Sequence, residues 1–260
     1  MESTMEVAEH ITVLTNQAKR FAEAADQSDL ETPVPTCPDW NMRDLVRHLS
    51  EIHLWAAARV AKKTDQLWLE DLSELTESWP DLAVFWPEDS DLVDFYLKTN
   101  ANLVDALESA PADLDCPTFL PAPSPLAMWA RRQAHETAVH RFDAENAVGN
   151  ASGFDSEFAA DGIDELLAAF TPRKESFPVE SEKVMQVSTD DTDDHWRVTL
   201  KPDDVSTARG EGPADITLSG SASDLYLVLW NRAPDSAIEV GGEIGILDLW
   251  HGNSRIRWTS

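Results

Sequence analysis

The chain has 260 residues, of which 42% are hydrophobic, so it is long and apolar enough to form one large domain or two ordinary ones. Its 48 acidic residues outnumber its 20 basic residues, which gives a formal net charge of −28. Such a charge repels phosphate backbones and anionic lipid surfaces, so we expect neither nucleic acid nor a membrane as a partner. An acidic surface that is also poor in lysine would suit a salty cytoplasm.

The cysteines and the N-terminus indicate the compartment. Cys37 and Cys116 are far apart and each precedes a proline, so the chain has no CxxC pair for a metal or a redox reaction. The N-terminal segment is amphipathic and polar, without a basic region followed by an apolar core, and no stretch of 18 apolar residues occurs. We therefore expect a cytoplasmic protein, present as a monomer or a dimer.

The first part of the chain predicts two helices. Apolar residues recur at steps of three and four from about residue 3 to residue 27, which is typical of a helix with one buried face. After the break ETPVPTCPDW, Asn41 and Asp44 resemble a capping pair that begins a second helix, which runs to about Lys62. His48 lies on the apolar side of this helix. It needs a polar partner there, because an unsatisfied buried polar group costs about 1 to 3 kcal/mol.

Two more helices are predicted before residue 150. Residues 64–88 are acidic, rich in tryptophan and proline, and without a clean period, so we interpret them as a long connection with at most short helices. Helical spacing returns from about Asp89 to Ala110, and a proline-rich stretch then leads to a fourth helix from about Pro125 to Val148. Four amphipathic helices joined by one or two long crossovers describe a bundle whose core could hold a metal.

The character of the sequence changes after Gly149. The stretch AVGNASG is small and polar, as expected of a linker, and a helical segment follows near residues 156–170. The stretches KVMQVST, HWRVTLKP, ADITLSG and AIEVGG indicate strands, with a helix between the last two and a helical or mixed tail at the end. The sequence therefore predicts two domains: a four-helix bundle at residues 1–150 and a small α+β domain at residues 151–260.

The candidate site lies on the fourth helix, in WARRQAHETAVHRFDAE. Glu136 and His140 are four residues apart, so on a helix their Cβ atoms lie roughly 5 to 6 Å apart on one face. A carboxylate and an imidazole so placed can bind one cation. A divalent transition metal needs a third donor, for which His48 on another helix is the best candidate. Two neutral imidazoles and a carboxylate would leave Zn²⁺ with an open coordination position, as in catalytic zinc sites.

Each residue of this site also has a simpler interpretation. A histidine on an apolar helix face is often a hydrogen-bonded core residue, and Glu136 with His140 could merely stabilise the helix by a few tenths of a kcal/mol. His135 points about 100° away from Glu136, so we expect it behind the ligands or at the surface. His53 faces elsewhere and is expected to be structural. Arg131, Arg132 and Arg141 are expected to be solvated or paired with carboxylates. Asp143 and Glu145 are expected to be surface charges of the helix.

Two motifs together resemble a known family. The segments PTCPDWNMRDLVRHLSEIHLWA and WARRQAHETAVHRFDAENAVG, in this order, are similar to the mycothiol-dependent maleylpyruvate isomerase family, within the DinB-like metal-binding four-helix bundles. In that family the first motif supplies the histidine of DL-x-x-H, matched by His48, and the second supplies E-x-x-x-H, matched by Glu136 and His140. The segment ADITLSGSASDLYLVLWNRAPDSAIEVGG resembles the family's C-terminal α+β domain, which is itself similar to sterol carrier proteins. The resemblance covers essentially the whole chain.

The resemblance implies a metal-dependent enzyme that uses a low-molecular-weight, mycothiol-like thiol as cosubstrate. A thiol in the open position of the metal, expected to be zinc, loses its proton and becomes the nucleophile. The thiolate would add to a cis double bond and leave again, in an isomerase, or attack an electrophile and stay, in an S-transferase. Arg232 matches a family position that faces the cleft and suits a substrate carboxylate, so the electrophile is expected to be a small anionic molecule. The simpler interpretation of Arg232 is a surface salt bridge.

The sequence leaves the reaction open. A second substrate-binding arginine would be expected between the second and third helices, and residues 64–88 contain none, which argues against maleylpyruvate itself. One alternative is a non-catalytic protein with a structural metal, whose C-terminal domain binds a small apolar ligand. Another is a metal-dependent hydrolase with water in place of the thiol. Thiol-dependent loss of an electrophile would separate the enzyme from both alternatives.

Overall fold

A computed structural model describes residues 5–62, 87–173 and 177–254. The connection predicted at residues 64–88 lies, except for its last two residues, outside this part of the chain. Within it, no helix is both long enough and apolar enough to cross a lipid bilayer.

The chain divides into two units, Met1–Ser152 and Gly153–Ser260. The described part of the first unit is built on helices, whereas the second unit combines helices with a five-stranded sheet. This confirms the predicted fold class, a four-helix bundle followed by a small α+β unit.

The first unit contains the four predicted helices, each within a few residues of its expected bounds. They are α1 (Val7–Asp26), α2 (Met42–Val60), α3 (Leu92–Ser109) and α4 (Pro125–Ala147), with a short 3₁₀ turn at Asp89–Asp91. The start of α2 is the predicted capping box, because the amide of Asp44 donates to Asn41 Oδ1 and the amide of Asn41 donates to Asp44 Oδ2, both at 3.0 Å. Helix α4 begins with Ser124 as its cap and Pro125 in its first turn.

Apolar side chains from all four helices form the core of the bundle. Phe21 of α1, Leu45 and Leu49 of α2, and Tyr96 of α3 are fully buried in one cluster. Helix α1 packs along α4, α2 packs along α3, and α2 also contacts α4. This last contact brings the α2 face that carries His48 against α4.

The second unit is a mixed sheet with helices. In chain order its elements are α5 (Ser156–Asp164), a π-helical segment (Glu165–Phe170), a 3₁₀ turn (Thr171–Arg173), β1 (Lys183–Thr189), β2 (His195–Lys201), β3 (Asp204–Arg209), β4 (Ile216–Gly220), α6 (Ala222–Leu229), a 3₁₀ turn (Asp235–Ala237), β5 (Glu239–Gly242) and α7 (Gly245–Asn253). The sheet order is β3-β2-β1-β4-β5. Strand β1 pairs parallel with β4, and the other three pairings are antiparallel.

Strand β3 is the one element of the sheet that the sequence pattern did not predict. Its residues, DVSTAR, bury only Val205, because β3 is an edge strand that pairs with β2 alone. Strand β2, by contrast, buries every second residue, namely Trp196, Val198 and Leu200, and so shows the alternation that marks a half-buried strand.

Candidate metal centre

His48 from α2 meets Glu136 and His140 from α4 inside the bundle. Oε1 of Glu136 lies 3.2 Å from Nε2 of His48 and 3.4 Å from Nε2 of His140. The potential ligand atoms of the three residues all lie within 4.8 Å of one another, and the exposed fractions of the residues are only 9%, 7% and 5%. The structure thus brings together the three side chains that were predicted as ligands from different parts of the sequence.

The imidazole ring of His140 is oriented by Asp143. Nδ1 of His140 lies 2.8 Å from Oδ2 of Asp143, a residue that is fully buried. Because an ionised carboxylate only accepts hydrogen bonds, the neutral form of His140 carries its proton on Nδ1. In that neutral form Nε2 carries a lone pair, on the side of the ring that faces Glu136, where a cation can bind it. Histidines that bind metals are usually held by such a carboxylate.

The segment between α1 and α2 supplies two further neighbours of the site. The thiol of Cys37 donates to Oδ2 of Asp143 at 3.3 Å. The ring of Trp40 packs against His48, with centroids 4.8 Å apart, and lies 6.1 Å from the ring of His140 in a stacked orientation. The segment before α2 therefore places a thiol beside Asp143 and an aromatic ring beside His48 and His140.

Arg132 binds the other oxygen of Glu136. It lies one turn earlier on α4, is 3% exposed, and donates a hydrogen bond to Oε2 of Glu136. The two oxygens of Glu136 thus have different roles, since Oε1 faces the histidines and Oε2 faces the guanidinium. Arg132 was expected to be solvated or paired, and the structure shows a buried pair.

The electrostatics keep Glu136 ionised and His48 neutral, which are the forms that bind a cation, but they favour a protonated His140. Burial alone would raise the pKa of Glu136, but the charge of Arg132 and hydrogen bonds from the two histidines hold that pKa well below its ordinary value. Burial lowers the pKa of His48, so its imidazole is neutral at neutral pH. Burial also opposes protonation of His140, yet its hydrogen bonds to Asp143, Cys37 and Glu136 raise its pKa well above the ordinary value. A cation on Nε2 of His140 must therefore displace a proton.

The donor set itself fits a divalent transition ion. Two imidazole nitrogens and one carboxylate oxygen are the ligands of several catalytic zinc sites, in which the fourth position is left for water or a substrate. The buried Asp143 behind His140 and Arg132 behind Glu136 provide the outer hydrogen bonds that such ligands need.

Other charged residues of α4 are also buried. The prediction that Asp143 and Glu145 are surface charges is wrong, since they are 0% and 7% exposed. Arg141 is fully buried and donates to Gln17, Glu145 and Ser152. Every residue from Met128 to Glu145 is buried, so α4 is not an amphipathic helix.

His53 and His135, which were weighed but not predicted as ligands, lie outside the cluster of candidate ligands. His53 is fully buried, and its Nε2 lies 2.9 Å from Oγ1 of Thr137, which confirms a structural position on another face of α2. His135 is also fully buried, which excludes the surface position of the two that were predicted for it, and its ring lies 6.1 Å from the ring of His10.

Arg232 belongs to the second unit. It lies just after α6, is partly exposed, and donates from Nη1 to the carbonyl of Trp230 at 2.8 Å. Its role in substrate binding stays a prediction.

Neighbouring helices of a four-helix bundle here contribute a buried cluster of two histidines and a glutamate, and bundle proteins build metal sites from side chains placed in this way. The family model of the mycothiol maleylpyruvate isomerase N-terminal domain matches residues 12–145, and the model of the C-terminal domain of the same family matches residues 157–248. The chain belongs to the mycothiol-dependent maleylpyruvate isomerase family, as its motifs predicted.

Solved structures agree with this assignment at the level of the fold. A crystal structure of mycothiol-dependent maleylpyruvate isomerase is 12% identical, covers 92% of this chain and 95% of its own, and superposes with a TM-score of 0.64. A histidine-to-alanine mutant of that isomerase gives 11% identity, the same coverage and the same TM-score. No curated protein sequence matches the chain.

Proposed function

We propose that this protein is a metal-dependent enzyme that activates a low-molecular-weight, mycothiol-like thiol for addition to a small electrophile. The observation that carries the proposal is the convergence of His48, Glu136 and His140, with the ring of His140 held by Asp143. Membership of a family named for a thiol-dependent isomerase supports the same chemistry.

The residues of the first unit would hold the metal and keep its surroundings ordered. His48, Glu136 and His140 are the proposed ligands, and a bound zinc ion would lower the pKa of a thiol that coordinates it. Arg132 and Asp143 restrict the orientation of Glu136 and His140 through their hydrogen bonds. The ring of Trp40 keeps polar solvent from the side on which it packs against the two histidines.

The thiolate is the nucleophile in the reaction that we propose. In an isomerase its sulfur forms a bond to one carbon of a cis double bond, and the electron pair of that bond moves onto an adjacent carbonyl. Rotation about the resulting single bond and expulsion of the thiolate then restore the double bond in the trans form. In an S-transferase the thioether is protonated on carbon and retained. The thiol is therefore a catalyst in the first case and is consumed in the second.

The second unit would bind the substrate through Arg232. A planar guanidinium can donate two parallel hydrogen bonds to a carboxylate, so we propose a small anionic electrophile as the substrate. In this proposal, residues 1–150 form the metal-binding domain and residues 151–260 form a domain that recognises the substrate.

The metal assignment can be tested with a matched pair of variants. Glu136 and Glu145 lie on the same helix, are each 7% exposed, and each accept a hydrogen bond from an arginine four residues earlier. We expect Glu136→Gln to lose the bound zinc because it removes the anionic ligand, whereas Glu145→Gln should keep about one equivalent. Metal analysis of both purified proteins decides the point. Full zinc content in Glu136→Gln would overturn the ligand assignment.

The thiol assignment requires an activity measurement. The zinc-loaded protein is mixed with maleylpyruvate or another cis-alkene acid, with and without mycothiol, and both the alkene and the free thiol are followed. Turnover that needs the thiol supports the proposal, and recovery of the thiol separates an isomerase from a transferase. Hydrolysis of ester or amide probes without added thiol would favour a hydrolase instead. Binding of an apolar ligand without any turnover would favour a non-catalytic protein.

A further inference from the structure

The loop that carries Arg232 is fastened to helix α7 on both sides of the arginine. Nδ1 of His251 lies 2.7 Å from Oδ1 of Asn231, the residue before Arg232. Nε2 of the same histidine lies 2.8 Å from Oδ1 of Asp235, three residues after Arg232. One imidazole of α7 thus connects both ends of the short loop of residues 231–235.

The backbone of Arg232 is also fixed, by the way in which helix α6 ends. The amide of Asn231 donates to the carbonyl of Val228 at 2.9 Å, and the amide of Arg232 donates to the carbonyl of Leu227 at 2.7 Å. These two bonds form a Schellman motif, in which the residue after the helix cap adopts a left-handed conformation. Asn231 fills that position with φ of +60°, where glycine is the usual residue.

The use of asparagine at this position is explained by its side chain. Besides its contact with His251, Asn231 donates from Nδ2 to Oγ of Ser254 at 3.1 Å. Glycine would adopt the left-handed conformation with less strain, but it could make neither contact. Asn231 therefore does more than end helix α6, because its side chain also attaches the loop to the end of α7.

Helix α7 is itself anchored and can serve as a support. Trp250, the neighbour of His251, is 1% exposed and donates from Nε1 to the carbonyl of Leu229 at 3.0 Å. Its ring stacks on Phe177, with centroids 6.1 Å apart and planes 16° apart. The Arg232 loop is thus bound to a helix that is itself packed in the core of the second unit.

We propose that His251 is a positioning residue for Arg232: it fixes the loop of residues 231–235 and with it the direction in which the guanidinium is presented. The inference rests on the proposed role of Arg232 in binding an anionic substrate. Bidentate hydrogen bonding to a carboxylate depends on the orientation of the guanidinium plane, whereas the attraction of an anion depends mainly on the charge of the guanidinium. Loosening the loop should therefore reduce orientation more than it reduces attraction.

The kinetic test is a double-mutant cycle. His251→Ala, Arg232→Ala and the double variant are compared with maleate as the anionic probe and its ester dimethyl maleate as the neutral probe, in the zinc-loaded, full-length protein with mycothiol. We expect His251→Ala to lower kcat for the anionic probe about tenfold with less than about a threefold change in KM, and to leave the neutral probe almost unchanged. In the Arg232→Ala background the same change should have no further effect. Additive losses would show that His251 does not act through Arg232.

Asn231→Gly separates positioning from stability. Glycine preserves the left-handed backbone, so the helix end should keep its conformation and the protein should stay folded, yet the contact with His251 is removed. We expect the same loss of kcat for the anionic probe as in His251→Ala. Normal kinetics in Asn231→Gly would overturn the inference. His195→Ala, which changes a partly exposed histidine of β2, is the matched control and should behave as the unmodified protein.

Amide hydrogen exchange provides a readout that does not depend on activity. His251→Ala should speed the exchange of the hydrogen-bonded amides of Asn231 and Arg232, because the attachment of their loop to α7 is lost, and should leave strand β2 protected. Unchanged exchange in the loop would overturn the inference. Faster exchange in the loop combined with normal kinetics for Arg232→Ala would show instead that the proposed role of Arg232 is wrong.

Discussion

At His140, one hydrogen bond decides which ring nitrogen faces the other candidate ligands. The buried carboxylate of Asp143 keeps the proton on Nδ1 and leaves Nε2 for a metal. Asparagine at position 143 would present either a neutral carbonyl, which holds the ring less firmly, or an amide donor, which favours the wrong tautomer. We expect Asp143→Asn to weaken zinc binding by about 10- to 100-fold. Competition with a chromogenic chelator measures the change in Kd.

Cys37→Ser is the control for this prediction. Serine keeps a hydrogen-bond donor near Oδ2 of Asp143 and leaves the carboxylate in place, so zinc affinity should change only a few-fold. Equal zinc affinity in Asp143→Asn and the unmodified protein would show that the hydrogen bond to His140 does not support metal binding.

At the residue scale, the sequence predicted what helix geometry alone determines. Glu136 and His140 could be paired because a separation of four residues places them on one face, and His48 could be added because it lies on an apolar face within a recognisable motif. Cys37 and Trp40 could not be found in this way, because they lie in a segment without periodicity between α1 and α2. The expectation for Asp143 failed because α4 was assumed to have an exposed face.

At the scale of the element, α4 shows why hydrophobic periodicity gave an incomplete picture. Charged residues occur on several of its faces, so no apolar stripe exists, yet 18 consecutive residues from Met128 to Glu145 are buried. The charges are accommodated in pairs along the helix, such as Arg132 with Glu136 and Arg141 with Glu145. Such pairing depends on tertiary contacts, which a single helical sequence does not reveal.

The pair of Arg141 and Glu145, near the end of α4, also binds Ser152, the last residue of the first unit. Glu145 accepts hydrogen bonds from Arg141, Arg20 and both the amide and the hydroxyl of Ser152. Burial alone would raise the pKa of Glu145, but these hydrogen bonds and the charge of Arg141 lower it below its ordinary value. Burial lowers the pKa of Arg141, but from so high an ordinary value that the guanidinium stays charged at neutral pH.

A lowered carboxyl pKa makes stability depend on pH in a defined direction. Glu145 stabilises the folded chain above its ordinary pKa, and this contribution is lost as the pH falls through the lower pKa of the folded state. We expect Glu145→Gln to reduce the free energy of unfolding by about 1 to 3 kcal/mol at pH 7 and to flatten its decline between about pH 5 and pH 3. Urea unfolding followed by circular dichroism at several pH values measures both effects. Glu23→Gln, at an exposed position of α1, should reproduce the unmodified pH profile. If the free energy of unfolding of Glu145→Gln declined with falling pH as steeply as that of the unmodified protein, Glu145 would not be a source of the pH dependence.

At the scale of the whole molecule, the dominant feature is the excess of acidic residues. A formal charge of −28 over 260 residues places many carboxylates within reach of one another on the surface, and their repulsion disfavours the compact state. The buried arginine–carboxylate pairs of α4 are shielded from solvent ions, so added salt acts mainly on the exposed charges.

We therefore expect the melting temperature to rise with KCl concentration. The Debye length falls from about 30 Å at 0.01 M to about 3 Å at 1 M, so most of the rise should be complete near 1 M if screening is its cause. A variant with three exposed carboxylates neutralised, Glu23→Gln, Glu108→Gln and Asp203→Asn, should melt at a higher temperature in low salt and respond less to KCl. Calorimetry of both proteins across the salt series measures these shifts. Screening by salt weakens both the repulsion among carboxylates and the attraction within surface ion pairs, so the larger of the two determines whether the melting temperature rises or falls. A melting temperature that falls with KCl would therefore show that the ion pairs outweigh the repulsion.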